Sequence, residues 1–367
     1  MHSLSNYRLV ALTLCARLGV LLLATVCAAY LEPFDSSGGH DAWIRWDAIH
    51  FAHVAKDGYT FEHDWAFLSG LHFLLRHIPR PLFYIMCTLM DVATTLTLHD
   101  LTLEVLGVAR LADLATALSL LPSSPATFRL APYNEPFFAF LAYSGMLYCQ
   151  RKQFLPAAIF FTLAGFFRSN NILLGGFIMW SMLVVPFFCG TPLQFSAPFF
   201  VLPIFLPFIG HNAIAYMRFC SSGQDLPPAW CSNTIPSIYT YVQGAYWNVG
   251  FLNYFSPEQI PNFLISAPVI ALIYAFGTAH IRRTAGPPFE RHQVTPHVLH
   301  SVVFTTTLVF SAHTQIILRV ASSMPVIYWA AAWLLVYHPT WGKAWVLWSV
   351  IWGCISIVLW ATFLPPA

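Results

Sequence analysis

Long apolar runs broken by short polar stretches set the pattern of this chain. Read at the ~20-residue length needed to cross hydrocarbon, the pattern predicts about eleven spans. They lie near 9–31, 81–103, 108–122, 131–149, 154–168, 171–189, 195–218, 260–280, 298–319, 323–338 and 343–363. Several are short and must tilt, borrow from their flanks or break. The run 108–122 carries Asp113, and the break after 154–168 falls at Arg168-Ser169-Asn170-Asn171. The first run is too long for a signal-peptide core and lacks a clean cleavage site, so it reads as an anchor. The predicted fold is an all-α polytopic membrane bundle forming one domain, 1–367. Two polar interruptions stand out, 32–80 and 219–259.

Basic flanks orient the bundle. Arg151-Lys152 follows the fourth run, and Arg282-Arg283 with Arg291 follow the eighth. The positive-inside rule puts both on the cytoplasmic side, and four crossings between them keep the count consistent. Residues 32–80, 123–130, 168–171, 219–259 and 320–322 then share the opposite, lumenal or exterior face. Within 32–80, Asp35-Ser36-Ser37-Gly38-Gly39 signals a loop. Asp41 would cap a short interfacial helix carrying Trp43, Asp47, His50 and Val54 on one face. Trp65 to His77 is too short to span and reads as re-entrant or interfacial. No internal repeat is evident.

Composition agrees. Hydrophobic residues are 57% and charged residues 9%, against about 25% charged in soluble domains. A net charge of +2 with dispersed basic residues argues against nucleic acid. None of the eight cysteines forms a CxxC pair, so no zinc or redox motif is supported. Cys220 and Cys231 share one polar loop and would pair only in an oxidising compartment.

Scarce carboxylates gather in one place: Glu32, Asp35, Asp41, Asp47, Asp57, Glu62 and Asp64 are seven of the fifteen acids. Asp47 is the candidate general base for sugar transfer from a phosphate donor, a reaction in which the leaving group needs little acid help. The alternative is a surface carboxylate or a partner for Arg45. Trp43 and Trp46 would wall a sugar ring or anchor the interface. His50, one turn beyond Asp47, completes this face. Its spacing to His53 is metal-like, but with no second ligand cluster a metal site is not expected. Arg168 with Asn170, and Arg319, sit at the lumenal boundary, where an arginine either meets a lipid phosphate or snorkels. Tyr133 and Glu135 start the fourth run. Glu135 would contact acceptor hydroxyls or, preferably, Arg129. Asp91 and Asp113 lie inside runs, and Asp91 is read as bonding the Thr94 or Thr95 hydroxyl.

At these residues the chain resembles the PIG-V family, the second mannosyltransferases of glycosylphosphatidylinositol (GPI) synthesis. The resemblance runs through Arg45-Trp46-Asp47-Ala48-Ile49-His50-Phe51 with Gly58-Tyr59, Ala131-Pro132-Tyr133-Asn134-Glu135 and Phe167-Arg168-Ser169-Asn170-Asn171. It continues through Tyr246-Trp247-Asn248-Val249-Gly250-Phe251-Leu252-Asn253-Tyr254-Phe255 and Arg319-Val320-Ala321-Ser322-Ser323-Met324-Pro325. Ala66-Phe67-Leu68-Ser69-Gly70 departs from the family's usual Phe-x-Pro-type turn.

The resemblance implies a GT-C glycosyltransferase of the endoplasmic reticulum (ER) membrane with a lumenal site. Its donor would be dolichyl phosphate β-mannose, its acceptor a GPI precursor bearing one mannose, and its new bond α-1,6. Neither metal nor other cofactor is expected, in keeping with the lack of a DxD motif. A small accessory membrane subunit is implied by fungal relatives. Asp47 would take the acceptor proton, Arg168 and Arg319 would offset charge on the departing phosphate, and Trp46 would seat the sugar. The loop 219–259, with Trp247, would cover the site. Two other classes fit the spans: a transporter or scramblase of lipid-linked sugars, and a non-catalytic subunit of a glycosylation complex. Neither needs carboxylates concentrated in one lumenal loop.

Overall fold

A computed structural model of the chain describes residues 5–34, 42–221 and 227–366. Among these residues there are helices, turns and no strand. The loop signal at Asp35–Gly39 and the cap at Asp41 lie outside the described residues.

Among the described residues, seven helices are long and apolar enough to cross a bilayer: Asn6–Tyr30, Arg80–Leu106, Ser169–Cys189, Ala197–Phe219, Pro257–Ile281, His292–Ser311 and Pro339–Ala361. Thr314–Ser323 and Pro325–Tyr337 meet at an 89° bend and make an eighth if they count as one span. The sequence pattern put the ninth and tenth spans at 298–319 and 323–338. The structure instead ends the ninth at Ser311 and breaks the next at Met324. Proline at the first position of a helix disfavours helical backbone in the residue before it, and Met324 is extended accordingly (φ −108°, ψ 109°). Arg319 therefore lies on a short cross-piece rather than at the end of a spanning helix.

Three other predicted spans are short helices: Ala109–Ser119, Glu135–Gln150 and Phe154–Ala164, of 11, 16 and 11 residues. At 1.5 Å per residue, 11 residues reach only about 16 Å. Glu135–Gln150 is buried along most of its length, whereas Phe154–Ala164 leaves Leu155, Ile159 and Leu163 exposed on one side. Glu135–Gln150 lies between Arg80–Leu106 and Phe154–Ala164, with Phe138, Tyr143 and Met146 buried in the main apolar core. Phe161, Phe177, Phe276 and Trp329 fill the same core.

The two ends of the bundle differ. At the end predicted to be cytoplasmic, Glu104 pairs with Arg151 at 2.6 Å. Gly107, in the left-handed conformation (φ 70°) that disfavours other residues, ends the Arg80–Leu106 helix beneath the Arg291 guanidinium. At the opposite end lie two short helices, Asp47–Asp57 and Ser69–His77, joined by a 3-10 turn at Glu62–Ala66. The expected interfacial helix is present but starts at Asp47, so Trp43 is not on its face. Trp43 instead packs with Val20, Leu23, Ala24, Leu130 and Ile357 of neighbouring elements.

The intramembrane acids are paired. Asp91 takes Arg129 at 2.5 Å, and both side chains are 1% exposed. This corrects the expectation that Asp91 bonds a threonine hydroxyl; Thr95 donates to the Asp91 backbone carbonyl instead. Asp113 accepts from His99 at 3.1 Å. Breaking a buried pair strands one charge, which costs about 3–5 kcal/mol. Arg129→Met should therefore lower the melting temperature in detergent sharply. The double variant Arg129→Met/Asp91→Leu should recover most of the loss, and an equally unstable double variant would show that the pair is not the cause.

Candidate active site

The site begins with a strained turn. Trp46 has φ 53° and ψ −129°, a backbone conformation ordinarily left to glycine, at a cost of about 1–3 kcal/mol. Two bonds hold it. The Asp47 backbone N–H donates to the Tyr133 hydroxyl at 3.2 Å, and that hydroxyl donates to the Arg45 carbonyl at 3.4 Å. Burial pushes the Tyr133 phenol well above its usual range, so it stays protonated as this pairing requires. The turn is further tied to the chain's end. The Trp360 indole donates to the Ala42 carbonyl, and Phe363 lies under the Arg45 guanidinium and beside the Trp46 ring.

Asp47 then opens its helix, where a carboxylate suits the positive end of the helix dipole. Its Oδ2 accepts from Arg319 at 2.8 Å while the side chain remains 32% exposed. The Arg319 Nε lies 3.4 Å from Glu135 Oε1, which also accepts from Arg168 at 2.9 Å. Arg168, Glu135, Arg319 and Asp47 thus alternate in sign along one continuous line. Glu135 is almost fully buried at 3% exposure. It occupies the first turn of its own helix, again at the positive end. The expectation that Glu135 would pair with Arg129 is corrected: Arg129 is taken by Asp91, so Glu135 bridges the two other arginines. Arg319 also covers the Tyr133 ring, its guanidinium carbon 5.4 Å from the ring centre.

Of the residues singled out in the sequence, Asp47, Tyr133, Glu135, Arg168 and Arg319 come together directly. Asn170 joins them by accepting from Arg168 Nε at 3.2 Å. His50 stacks on Phe67 and meets the edge of Trp247, with ring centres 5.3 and 6.5 Å apart. Burial lowers the His50 imidazole below its usual range despite nearby Asp47, so it is neutral at neutral pH. Trp46 is next to the site, and Trp43 is not. His53 turns to Thr60 and Asp57, and its Nε2 lies 3.7 Å from Asp64 Oδ2.

The two long polar segments pack on each other. Glu62 accepts from the Trp230 indole at 3.0 Å and from the Tyr246 hydroxyl at 3.2 Å. Cys220 and Cys231 form a disulfide. Tyr239 and Ser169 share a hydrogen bond of 2.8 Å. Farther along, the Trp247 carbonyl accepts from His313, whose ring stacks on Tyr254. Just beyond that turn, an open apolar groove of about 450 Å³ is lined by Phe255, Pro257, Ile260, Phe263 and Leu264. Tyr239 and His313 gave no signal in the sequence, and Glu62 gave none beyond its place among the gathered acids, because their roles depend on how two distant loops meet.

Glu135 separates two arginines, so Glu135→Gln should bring them into uncompensated repulsion and cost about 3 kcal/mol. The check is the melting temperature of the purified protein against Arg168→Gln/Glu135→Gln, which should be less damaged than Glu135→Gln alone. A Glu135→Gln protein as stable as the unsubstituted one would contradict the pairing.

A family model described as Mannosyltransferase (PIG-V) matches residues 35–367. A relative from Cricetulus griseus, GPI alpha-1,6-mannosyltransferase 2, is 33% identical over 79% of this chain and 72% of its own length. The Homo sapiens protein of the same name is 32% identical over the same shares. GPI mannosyltransferase 2 from Cryptococcus neoformans is 30% identical over the whole of both chains. No solved structure matches. An ordered set of polar residues brought to one end of a helical membrane bundle, and a family match over nearly its whole length, identify this chain as a member of the PIG-V mannosyltransferase family.

Proposed function

We propose that this glycosyltransferase acts in GPI-anchor synthesis, adding the second mannose through an α-1,6 bond to a GPI precursor that carries one mannose. The donor is dolichyl phosphate β-mannose, and transfer takes place on the lumenal face of the ER membrane. The observation that carries this reading is the line Arg168–Glu135–Arg319–Asp47, which sets one accessible carboxylate beside two cations. The transporter and subunit readings give no use for such a carboxylate.

In the proposed reaction, Asp47 accepts the proton of the acceptor's 6-hydroxyl as that oxygen attacks the donor's anomeric carbon. The bond from this carbon to the phosphate oxygen breaks with its electron pair, and dolichyl phosphate leaves. Attack opposite a β-linked leaving group gives an α product. Arg319 orients the Asp47 carboxylate through its 2.8 Å hydrogen bond. As the bond breaks, Arg319 and Arg168 turn part of their charge to the phosphate, a fixed electrostatic stabilisation in a partly dry site. No metal is needed at the reacting bond, because these two guanidinium groups supply the positive charge there. Trp46 and His50 border the sugar, and Trp247 with the 227–247 segment covers it. The donor's polyprenyl tail lies in the apolar groove at 255–264, leaving its phosphate at the bilayer boundary. Holding both lipids in register supplies much of the rate.

The lumenal placement draws support from the disulfide, since such bonds persist in oxidising compartments. A small accessory subunit is part of the proposal. Ile235 and Phe251, 82% and 74% exposed on the second large loop, offer it an apolar contact.

The experiment is complementation of cells that lack the second GPI mannosyltransferase, with the accumulated lipids identified. Expression of this chain should convert the one-mannose precursor to a two-mannose lipid sensitive to α-1,6-specific mannosidase. Persistence of the one-mannose lipid, with the chain present in the ER and its host partner subunit intact, would overturn the acceptor assignment.

A further inference from the structure

Beside the proposed catalytic carboxylate, His63 and Asp64 have no role in the transfer, and they meet the inner side of His50. His50, His63 and Asp64 each present one ligand atom, and these atoms all lie within 4.8 Å of one another. We propose that the three bind a divalent transition-metal cation, with zinc the best match. The set is two imidazoles and a carboxylate, which suits a four-coordinate ion with one position left for water or another oxygen.

Asp64 carries the argument. Its side chain is fully buried. Oδ2 accepts the Phe61 backbone N–H at 2.8 Å, but Oδ1 is buried with no hydrogen-bond partner. The nearest cationic candidate is His63 Nε2 at 3.7 Å, beyond hydrogen-bond range. A buried carboxylate oxygen left without a donor is costly unless a cation satisfies it. A tetrahedral ion with bonds of ~2.1 Å needs its donor atoms about 3.4 Å apart, so separations of up to 4.8 Å must close by up to about 1.4 Å. His63 has room to do so, being only partly buried and held on one side by stacking on Phe61.

The cation would join three parts of the site. His50 belongs to the helix that Asp47 opens, and His63 and Asp64 belong to the turn Glu62–Ala66. Glu62 in that turn receives Trp230 and Tyr246 from the second large loop. Binding would therefore fix the covering loop relative to Asp47. The role is to hold the site's shape, and it does not supply charge at the reacting bond.

The test uses the full chain purified in detergent, stripped with dipicolinate and then dialysed against zinc. Bound zinc is read by elemental mass spectrometry and stability by melting temperature, neither of which depends on mannose transfer. The expected result is about one zinc per chain and a higher melting temperature with zinc, since ligands of the native state stabilise it. Cobalt should give the visible absorption of a tetrahedral complex. His63→Ala/Asp64→Asn should lose both the metal and the zinc-dependent rise, whereas Asp57→Asn, at an exposed position, should keep them. An unsubstituted chain that takes up no zinc, or a double variant that retains it in full, would overturn the proposal and leave the cluster as a set of histidine–aspartate pairs. The unsubstituted chain alone decides the matter if the double variant fails to fold.

Discussion

Two guanidinium groups and two carboxylates lie at the edge of a hydrophobic bundle, and their mutual neutralisation constrains everything around them. Each alone would be expensive there. In the order Arg168, Glu135, Arg319, Asp47, each interior member has an opposite charge on both sides. The line is also graded in exposure. Glu135 is nearly sealed, the arginines are partly open, and Asp47 is a third exposed. Glu135, inside the line, fixes the two arginines, and Asp47 at one end is the most open member. Several local oddities serve this placement: the glycine-like backbone at Trp46, the proline-driven bend before Pro325, and the unshiftable Tyr133 hydroxyl.

The short central helices follow from the same need. A helix that spanned fully would place its end outside the bundle. Glu135–Gln150 starts instead within the protein, surrounded by Arg80–Leu106, Phe154–Ala164 and the cross-piece that carries Arg319. Its first turn can therefore present Glu135 to two arginines from later elements. Backbone that is not helical is tolerated at such depth where protein, not lipid, covers it. Another buried pair, Asp91 with Arg129, ties two elements together and leaves the four-residue line undisturbed.

Much of this was legible in the sequence. Counting spans from basic flanks placed Asp47, Tyr133, Glu135, Arg168 and Arg319 on one face, and they do converge. The order of motifs also led to the family. What failed were partner choices and local backbone. Glu135 seemed matched to Arg129 because the two are six residues apart. The turn through Pro132 and Tyr133 sends them different ways, and Arg129 finds Asp91, 38 residues earlier. Trp43 seemed to share a helix face with Asp47 because no composition signal announces the positive φ at Trp46. The split of the predicted ninth and tenth spans was hidden because Thr314–Ser323 is apolar enough to read as membrane. His63 and Asp64 were passed over since their neighbour, His50, lies on a different element.

The central claim is that Asp47, oriented by Arg319 and Tyr133, takes the acceptor proton. The most direct measurement is single-turnover mannose transfer by purified Asp47→Asn protein saturated with donor, with donor binding measured separately. Asparagine keeps the size and can still accept from Arg319, but it cannot take up a proton at neutral pH. The account predicts unchanged donor binding within a few-fold and a transfer rate lower by about 10²–10⁴, the range ascribed to general-base catalysis. Transfer by Asp47→Asn at the unsubstituted rate would contradict it.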